Sequence, residues 1–186
     1  MKKAIYIFLA FAVVIILYYL YGIYSFNNYV NRAVRSNNMN IPVNENAPVK
    51  SMNQMEIAAP VDTVWKILTG IRNWPEWQKS VTETTAPETV EEGTKFHWKA
   101  GGLSFKSRIH TAELHKAFGW TGTTLGAAAV HNWRFIEKEN STVVIVEESL
   151  QGIFPGIFKG YFQKNLDKGV LTNLEELKEA SLIMSR

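Results

Sequence analysis

The chain has 186 residues, 46% of them hydrophobic, which is enough for one domain with a real core and some additional segments. It contains no cysteine, so a disulfide framework, a thiol nucleophile and cysteine-ligated zinc are all excluded. The net charge of +3 is unevenly spread. Residues 1–50 carry five basic groups and one acid, while residues 51–186 carry fifteen basic and sixteen acidic groups. The basic excess therefore sits in the N-terminal segment, where it suits anionic headgroups, and no nucleic-acid partner is expected for the remainder.

Ala4 to Tyr24 runs without a charge. As a helix rising ~1.5 Å per residue it is about 31 Å long, close to the hydrocarbon thickness of a bilayer. Tyr18, Tyr19, Tyr21 and Tyr24 cluster at one end and Tyr6 lies near the other, in the manner of interfacial aromatic belts. The apolar stretch is long for a signal peptide, and no small-x-small cleavage pattern follows it. Residues 1–26 are therefore expected to form a retained single-pass transmembrane anchor. Lys2 and Lys3 directly precede the span, whereas Arg32 and Arg35 follow at a distance. The positive-inside rule then favours an extracytoplasmic domain. Residues 27–50 hold eight asparagines with Pro42 and Pro48. They read as a polar linker with no apolar periodicity, except that the anchor helix has room to continue as far as Arg35.

Residues 51–186 form the domain. A strand is expected near residues 51–58. Pro60 then opens a helix with Val61, Val64, Trp65 and Leu68 on one face. A second short helix fits Asn73 to Trp77, with Asn73 as N-cap and Pro75 just inside. From about residue 80 the period becomes two. Phe96 and Trp98, then Phe105, Ser107 and Ile109, then Phe118 and Trp120, then His131, Trp133 and Phe135 alternate with polar or small neighbours. Val143 to Val146 is a β-branched run ending in Glu147-Glu148. Gly101-Gly102 reads as a hairpin turn. Phe158, Phe162, Leu166, Val170, Leu174 and Leu177 return to helical spacing from about Pro155 to Met184, and Gly169 suggests close approach of that helix to the sheet. The fold class is α+β: a curved antiparallel sheet of a first strand and about six more, wrapped around one long C-terminal helix, with two short helices after the first strand.

The stretch I-A-A-P-V-D-T-V-W-K-I-L-T-G-I-R-N-W-P-E-W (Ile57–Trp77) resembles the START-like, helix-grip superfamily, and within it the polyketide cyclase/dehydrase-like (SRPBCC) proteins. G-T-K-F-H-W (Gly93–Trp98), G-W-T-G (Gly119–Gly122), H-N-W-R-F (His131–Phe135) and E-E-S followed by a glycine (Glu147–Ser149, Gly152) come in the order expected of that family. The resemblance covers about residues 51–180. It implies a cavity between sheet and long helix that takes a hydrophobic small molecule or lipid, and it implies no single reaction. It also places Trp74 and Trp77 near the cavity mouth, where they close one end of the sheet, gate it or touch a membrane interface.

The candidate ligand-binding set is Phe96, Trp98, Phe105, Ser107, Trp120, His131, Trp133 and Phe135 on one sheet face, opposed by Phe158 and Phe162. Apolar walls with few polar groups suit ligands, although part of any such set must be plain core. His131 is the histidine expected to face inward. His97 and His110 alternate onto the outer face, and His115 falls in a turn. His131 is a satisfied core histidine, a hydrogen-bond partner for a ligand, or a general base oriented by Glu147 or Glu148; alternation does not say which carboxylate points in. Neither a metal nor a cofactor is expected, because His-Glu-x-x-His, clustered carboxylates, Gly-x-Gly-x-x-Gly and phosphate-binding loops are absent from the sequence. Three functions follow: a non-enzymatic membrane-anchored binder of a hydrophobic small molecule or lipid, a cyclase/dehydratase-type enzyme using His131 with Glu147 or Glu148, and a protein-interaction or regulatory accessory of a membrane complex.

Overall fold

The computed structural model describes residues 2–35 and 40–185. Helix α1 (Lys2–Arg35) is followed by strand β1 (Val49–Ile57), helix α2 (Val61–Thr69), a 3-10 turn (Ile71–Asn73) and helix α3 (Trp74–Trp77). Six strands come next: β2 (Val81–Thr85), β3 (Lys95–Ala100), β4 (Leu103–Glu113), β5 (Ala117–Thr124), β6 (Ala127–Glu137) and β7 (Thr142–Gln151). Helices α4 (Ile153–Ile157) and α5 (Lys159–Met184) close the chain.

The seven strands form one antiparallel sheet in the order β1-β7-β6-β5-β4-β3-β2. Strands β2 to β7 are a simple meander, and β1 joins its far edge by pairing Val49 with Leu150 and Ile57 with Thr142. The Gly101-Gly102 hairpin turn has φ of 55° and 79°, the left-handed pair that a two-residue turn of this hand requires. Alternation along the strands puts Phe96, Ile109, Phe118, Trp120, Trp133, Phe135, Val144 and Val146 on the inner face, all buried in one core. Val170, Leu174 and Leu177 of α5 and Val64 and Leu68 of α2 complete it. Trp74 sits at its centre, edge-on to Phe96 and Trp98, and its indole N–H donates to the Leu68 carbonyl at 2.8 Å. On the first strand, the Ser141 hydroxyl and the Lys138 ammonium, both at the β6–β7 turn, hold the Glu56 carboxyl below its usual range.

Helix α1 is long and apolar enough to cross a membrane between Lys3 and Ala33. It does not dissolve into a linker at residue 27. Phe26, Tyr29, Val30 and Ala33 recur at i, i+3, i+4 and i+7 and pack with Ile41, Ala128 and Val130 on the outer face of the sheet. This periodicity lies within the asparagine-rich stretch that reads as polar. Residues 36–39 of the expected linker lie outside the described residues. Beyond them the chain is irregular but fastened. The Ile41 amide donates to His110 Nδ1 at 3.3 Å, Asn132 Nδ2 donates to the Ile41 carbonyl at 2.9 Å, and the Asn44 amide donates to Ser149 Oγ at 2.9 Å.

Three further expectations are corrected. His110 is on the outer face, as alternation predicts, but it is buried rather than grouped in solvent with the lysines. A bulge between Ile109 and Thr111 shifts the register, and the Ile41 segment covers the ring. The long helix begins at Lys159 rather than near Pro155, because α4 is a separate turn and the chain bends at Phe158 (φ −108°, ψ 43°). Gly169 does not mark a close approach, since a Cβ placed there meets no atom within 4 Å. The tight glycine is Gly119, where a Cβ would lie 2.6 Å from Asn132 Oδ1 and 2.7 Å from His110 Cε1. Gly169→Ala is therefore expected to raise stability by about 0.5–1 kcal/mol. Gly119→Ala is expected to lower it by about 1–3 kcal/mol through overpacking. Urea unfolding of the full chain in detergent micelles checks both, and a loss of stability in Gly169→Ala contradicts the open helix face.

Candidate functional site

The sheet register sorts inner-face side chains into rows. One row runs Phe96, Ser107, Gly122, Ala129, Leu150 across β3 to β7. Its middle is occupied by the smallest side chains available. The next row runs Ile109, Trp120, His131, Glu148 across β4 to β7. Three of those four groups are large rings or a carboxylate. Small residues beside large ones leave a gap beneath α5, and a cavity of about 270 Å³ lies there. Its walls are mostly apolar: Trp98 and Phe105 on one side, Trp120 and Trp133 on the other, with Phe162 and Leu166 of α5 as the roof. Trp98 and Phe105 stack at 4.4 Å and 21°, and the Trp98 indole N–H donates to Ser107 Oγ at 3.1 Å.

The polar content is concentrated at His131. Its ring stacks on Trp120 at 4.4 Å and 11°, and lies 5.3 Å from Trp133 at 18°. Nδ1 is 2.8 Å from Glu148 Oε2, and the two side chains are only 7% and 15% exposed. A carboxylate has no proton to give, so Nδ1 carries the proton and donates it. That fixes the tautomer and leaves Nε2 as the free end. Nε2 is buried and has no hydrogen-bond partner among the described residues. It accepts a hydrogen bond when the ring is neutral and donates one when the ring is protonated. A buried polar atom left unpaired costs about 1–3 kcal/mol, so a ligand group that met Nε2 would recover that cost. The Trp133 indole N–H is a second buried polar group without a partner among the described residues. Glu147, the other candidate carboxylate, points to the opposite face and pairs with Arg134 at 2.8 Å.

Of the residues singled out from sequence, Trp98, Phe105, Trp120, His131, Trp133 and Phe162 border the cavity together. Phe96 is buried behind the wall against Trp74 and Trp120. Phe135 packs edge-on to Trp65, and Ser107 serves Trp98. Phe158 does not oppose the sheet. It is 55% exposed, because the chain bend at that position turns it outward. Trp74 lines the floor rather than the mouth, and Trp77 packs against the core beside it. Sequence reasoning missed Gln78, Asn165 and Asn173, polar groups at the cavity margin, and the small residues Gly122 and Ala129. The run Thr121 to Ala129, which has no side chain larger than Leu125, was the available signal for the space itself.

A family model for polyketide cyclase/dehydrase and lipid transport matches residues 48–180. The chain belongs to this family. Solved structures with the same fold include a START superfamily protein from Mycobacterium smegmatis, at 12% identity and a TM-score of 0.63 over 73% of this chain and 98% of that one. The Zhui aromatase/cyclase from Streptomyces sp. R1128 is 12% identical with a TM-score of 0.64, over 74% and 95%. A hypothetical protein from Helicobacter pylori is 14% identical with a TM-score of 0.68, over 74% and 90%. No curated protein matches. Family and fold together support a hydrophobic-ligand-binding domain.

The hydrogen-bonded geometry of His131 and Glu148 has a direct check. His131→Phe keeps a ring on Trp120 but strips Glu148 of its partner, and is expected to lower stability by about 1–3 kcal/mol. Glu148→Gln retains an acceptor for Nδ1–H and is expected to stay within about 1 kcal/mol of the parent. Equal losses in both, measured by urea titration of the full chain in micelles, argue against the assigned hydrogen bond.

Proposed function

We propose that this protein is a single-pass, membrane-anchored module that binds a hydrophobic small molecule or lipid between sheet and α5, without catalysing a reaction, on the extracytoplasmic side. The observation that carries the proposal is the cavity itself: an apolar space bordered by indole and phenyl rings and by His131, whose buried Nε2, like the Trp133 indole N–H, meets no hydrogen-bond partner among the described residues. Such a site suits an amphiphile with an apolar body and a polar end. At about 270 Å³ it is near the lower end of small-molecule pockets, roughly 300–1,000 Å³. It therefore suits a compact ligand, or one end of a longer molecule whose remainder leaves through the mouth. Helix α1, by its length and lack of charge between Ala4 and Tyr24, supports the anchor. Lys2 and Lys3 ahead of it support the stated side.

One observation favours a second reading. The Glu148–His131 pair has the arrangement of an oriented general base, with Nε2 facing the space a substrate would fill. In that reading His131 takes a proton from a bound carbon acid or hydroxyl, and Glu148 stabilises the resulting imidazolium.

Native mass spectrometry of the full chain released from micelles is expected to retain a hydrophobic adduct. Ala129→Trp, which fills the space beside Gly122 under α5, is expected to lose the adduct while remaining folded. A clean mass for the parent chain, with no uptake from a lipid extract, overturns the binding proposal. An adduct that leaves chemically altered in the parent but unaltered in His131→Phe would instead establish the enzyme.

A further inference from the structure

Strands of an antiparallel meander return to the same end of the sheet every second turn. The β3–β4 turn at Gly101-Gly102, the β5–β6 turn at Leu125-Gly126 and the β7–α4 junction at Gly152 therefore share one end, together with the start of α5. Large apolar side chains stand in the open here: Leu103, Leu125, Phe154, Ile157, Phe158 and Tyr161 are all exposed. Phe154 lies across Gly126, which ties α4 to the β5–β6 turn. Leu103 and Phe162, from opposite sides of this end, both border the cavity.

Helix α1 passes this collar within its uncharged stretch. A Cβ placed on Gly156 would lie 2.6 Å from the Tyr18 hydroxyl, and one on Gly22 would lie 3.7 Å from the Gly152 Cα. Spanning a bilayer takes about 17–25 apolar residues. Counted from Ala4, even the shortest such span ends at Leu20, past Tyr18. Helix α4 is thus fixed beside a part of α1 that lies at or inside the hydrocarbon boundary, not beyond it.

The charges agree with this placement. Residues 95–112, 114–136 and 149–166, which build the collar and its supporting strands, contain lysine and arginine but no acid. Glu45, near the same end, is neutralised by Lys50 at 2.6 Å. The opposite end carries Glu88, Glu91, Glu92, Glu113, Glu137 and Glu139 against Lys95, Arg108, Lys116 and Lys138, a net acidic balance. An anionic lipid surface attracts the first end and repels the second.

We infer that the collar is a membrane-docking surface. Its apolar side chains enter the bilayer interface to roughly 5–10 Å, as interfacial helices do. The cavity mouth then opens onto the lipid phase rather than water, and a membrane-dissolved ligand reaches His131 without crossing solvent. This inference rests on α1 spanning the membrane.

Because the chain has no native cysteine, single-cysteine probes can be placed freely. The full chain carries an environment-sensitive fluorophore at Leu125→Cys, Ile157→Cys, Val14→Cys or Glu139→Cys. It is reconstituted at one chain per nanodisc of phosphatidylcholine with phosphatidylglycerol, with a quencher in the acyl chains or iodide in the water. Labels at Leu125→Cys and Ile157→Cys are expected to be quenched by the acyl-chain lipid and to show several-fold less iodide quenching than the Glu139→Cys label. If Val14→Cys is quenched by the lipid but Leu125→Cys and Ile157→Cys are as open to iodide as Glu139→Cys, docking is wrong although the anchor stands. If Val14→Cys is itself open to iodide, the anchor fails and docking fails with it. Collar probes shielded from iodide only when several chains share a disc would assign the collar to a second copy, and would also overturn the inference.

Discussion

The site depends on a mismatch of side-chain volume across neighbouring rows of one sheet. Ser107, Gly122 and Ala129 sit abreast between one row that carries Trp98 and Phe105 and another that carries Trp120 and His131. A close-packed interior leaves few spaces larger than a water molecule. Helix α5 cannot settle into the low row, because Trp98 and Trp120 in the rows beside it and Phe162 and Leu166 on the helix itself hold the two layers apart. Farther along the helix, Val170, Leu174 and Leu177 do close on the sheet and on α2, so the same helix is core at one end and roof at the other.

The low polarity of that space gives the His131–Glu148 pair its character. Two ionisable groups this buried are tolerated because each answers the other, and because indole faces border the imidazole. The pairing uses one nitrogen and leaves the other buried without a partner among the described residues, on a ring that borders the apolar space. A carrier and a proton-transfer catalyst need that same orientation, which is why the geometry admits both chemistries and the fate of the ligand separates them.

Period-two alternation was sufficient to find the inner face of β3 to β7, because each of these strands carries at least one ring or branched chain at its inward positions. It was also sufficient to bring His131 in among Trp120 and Trp133. What it could not supply was register. Only cross-strand pairing shows that Glu148, and not Glu147, lies beside His131. Register also exposes the Ile109–Thr111 bulge that buries His110, and a bulge leaves no mark in hydrophobic spacing. Phe158 was misplaced for a related reason: its helical spacing from Phe162 is genuine, but the backbone turns between Ile157 and Lys159. The α1 stripe of Phe26, Tyr29, Val30 and Ala33 was hidden by the asparagines interleaved with it, whose turn preference dominates when each residue is weighed alone.

The pairing of β1 with β7 has a consequence for how the protein is made. Val49 finds its partner only when Leu150 has been synthesised, so the first strand of the sheet must wait for the last. Contacts this distant in sequence form slowly. The meander β2 to β7 pairs neighbour with neighbour and needs no such wait. The order of events is therefore built into the topology: the meander assembles strand by strand, and β1 closes the sheet last.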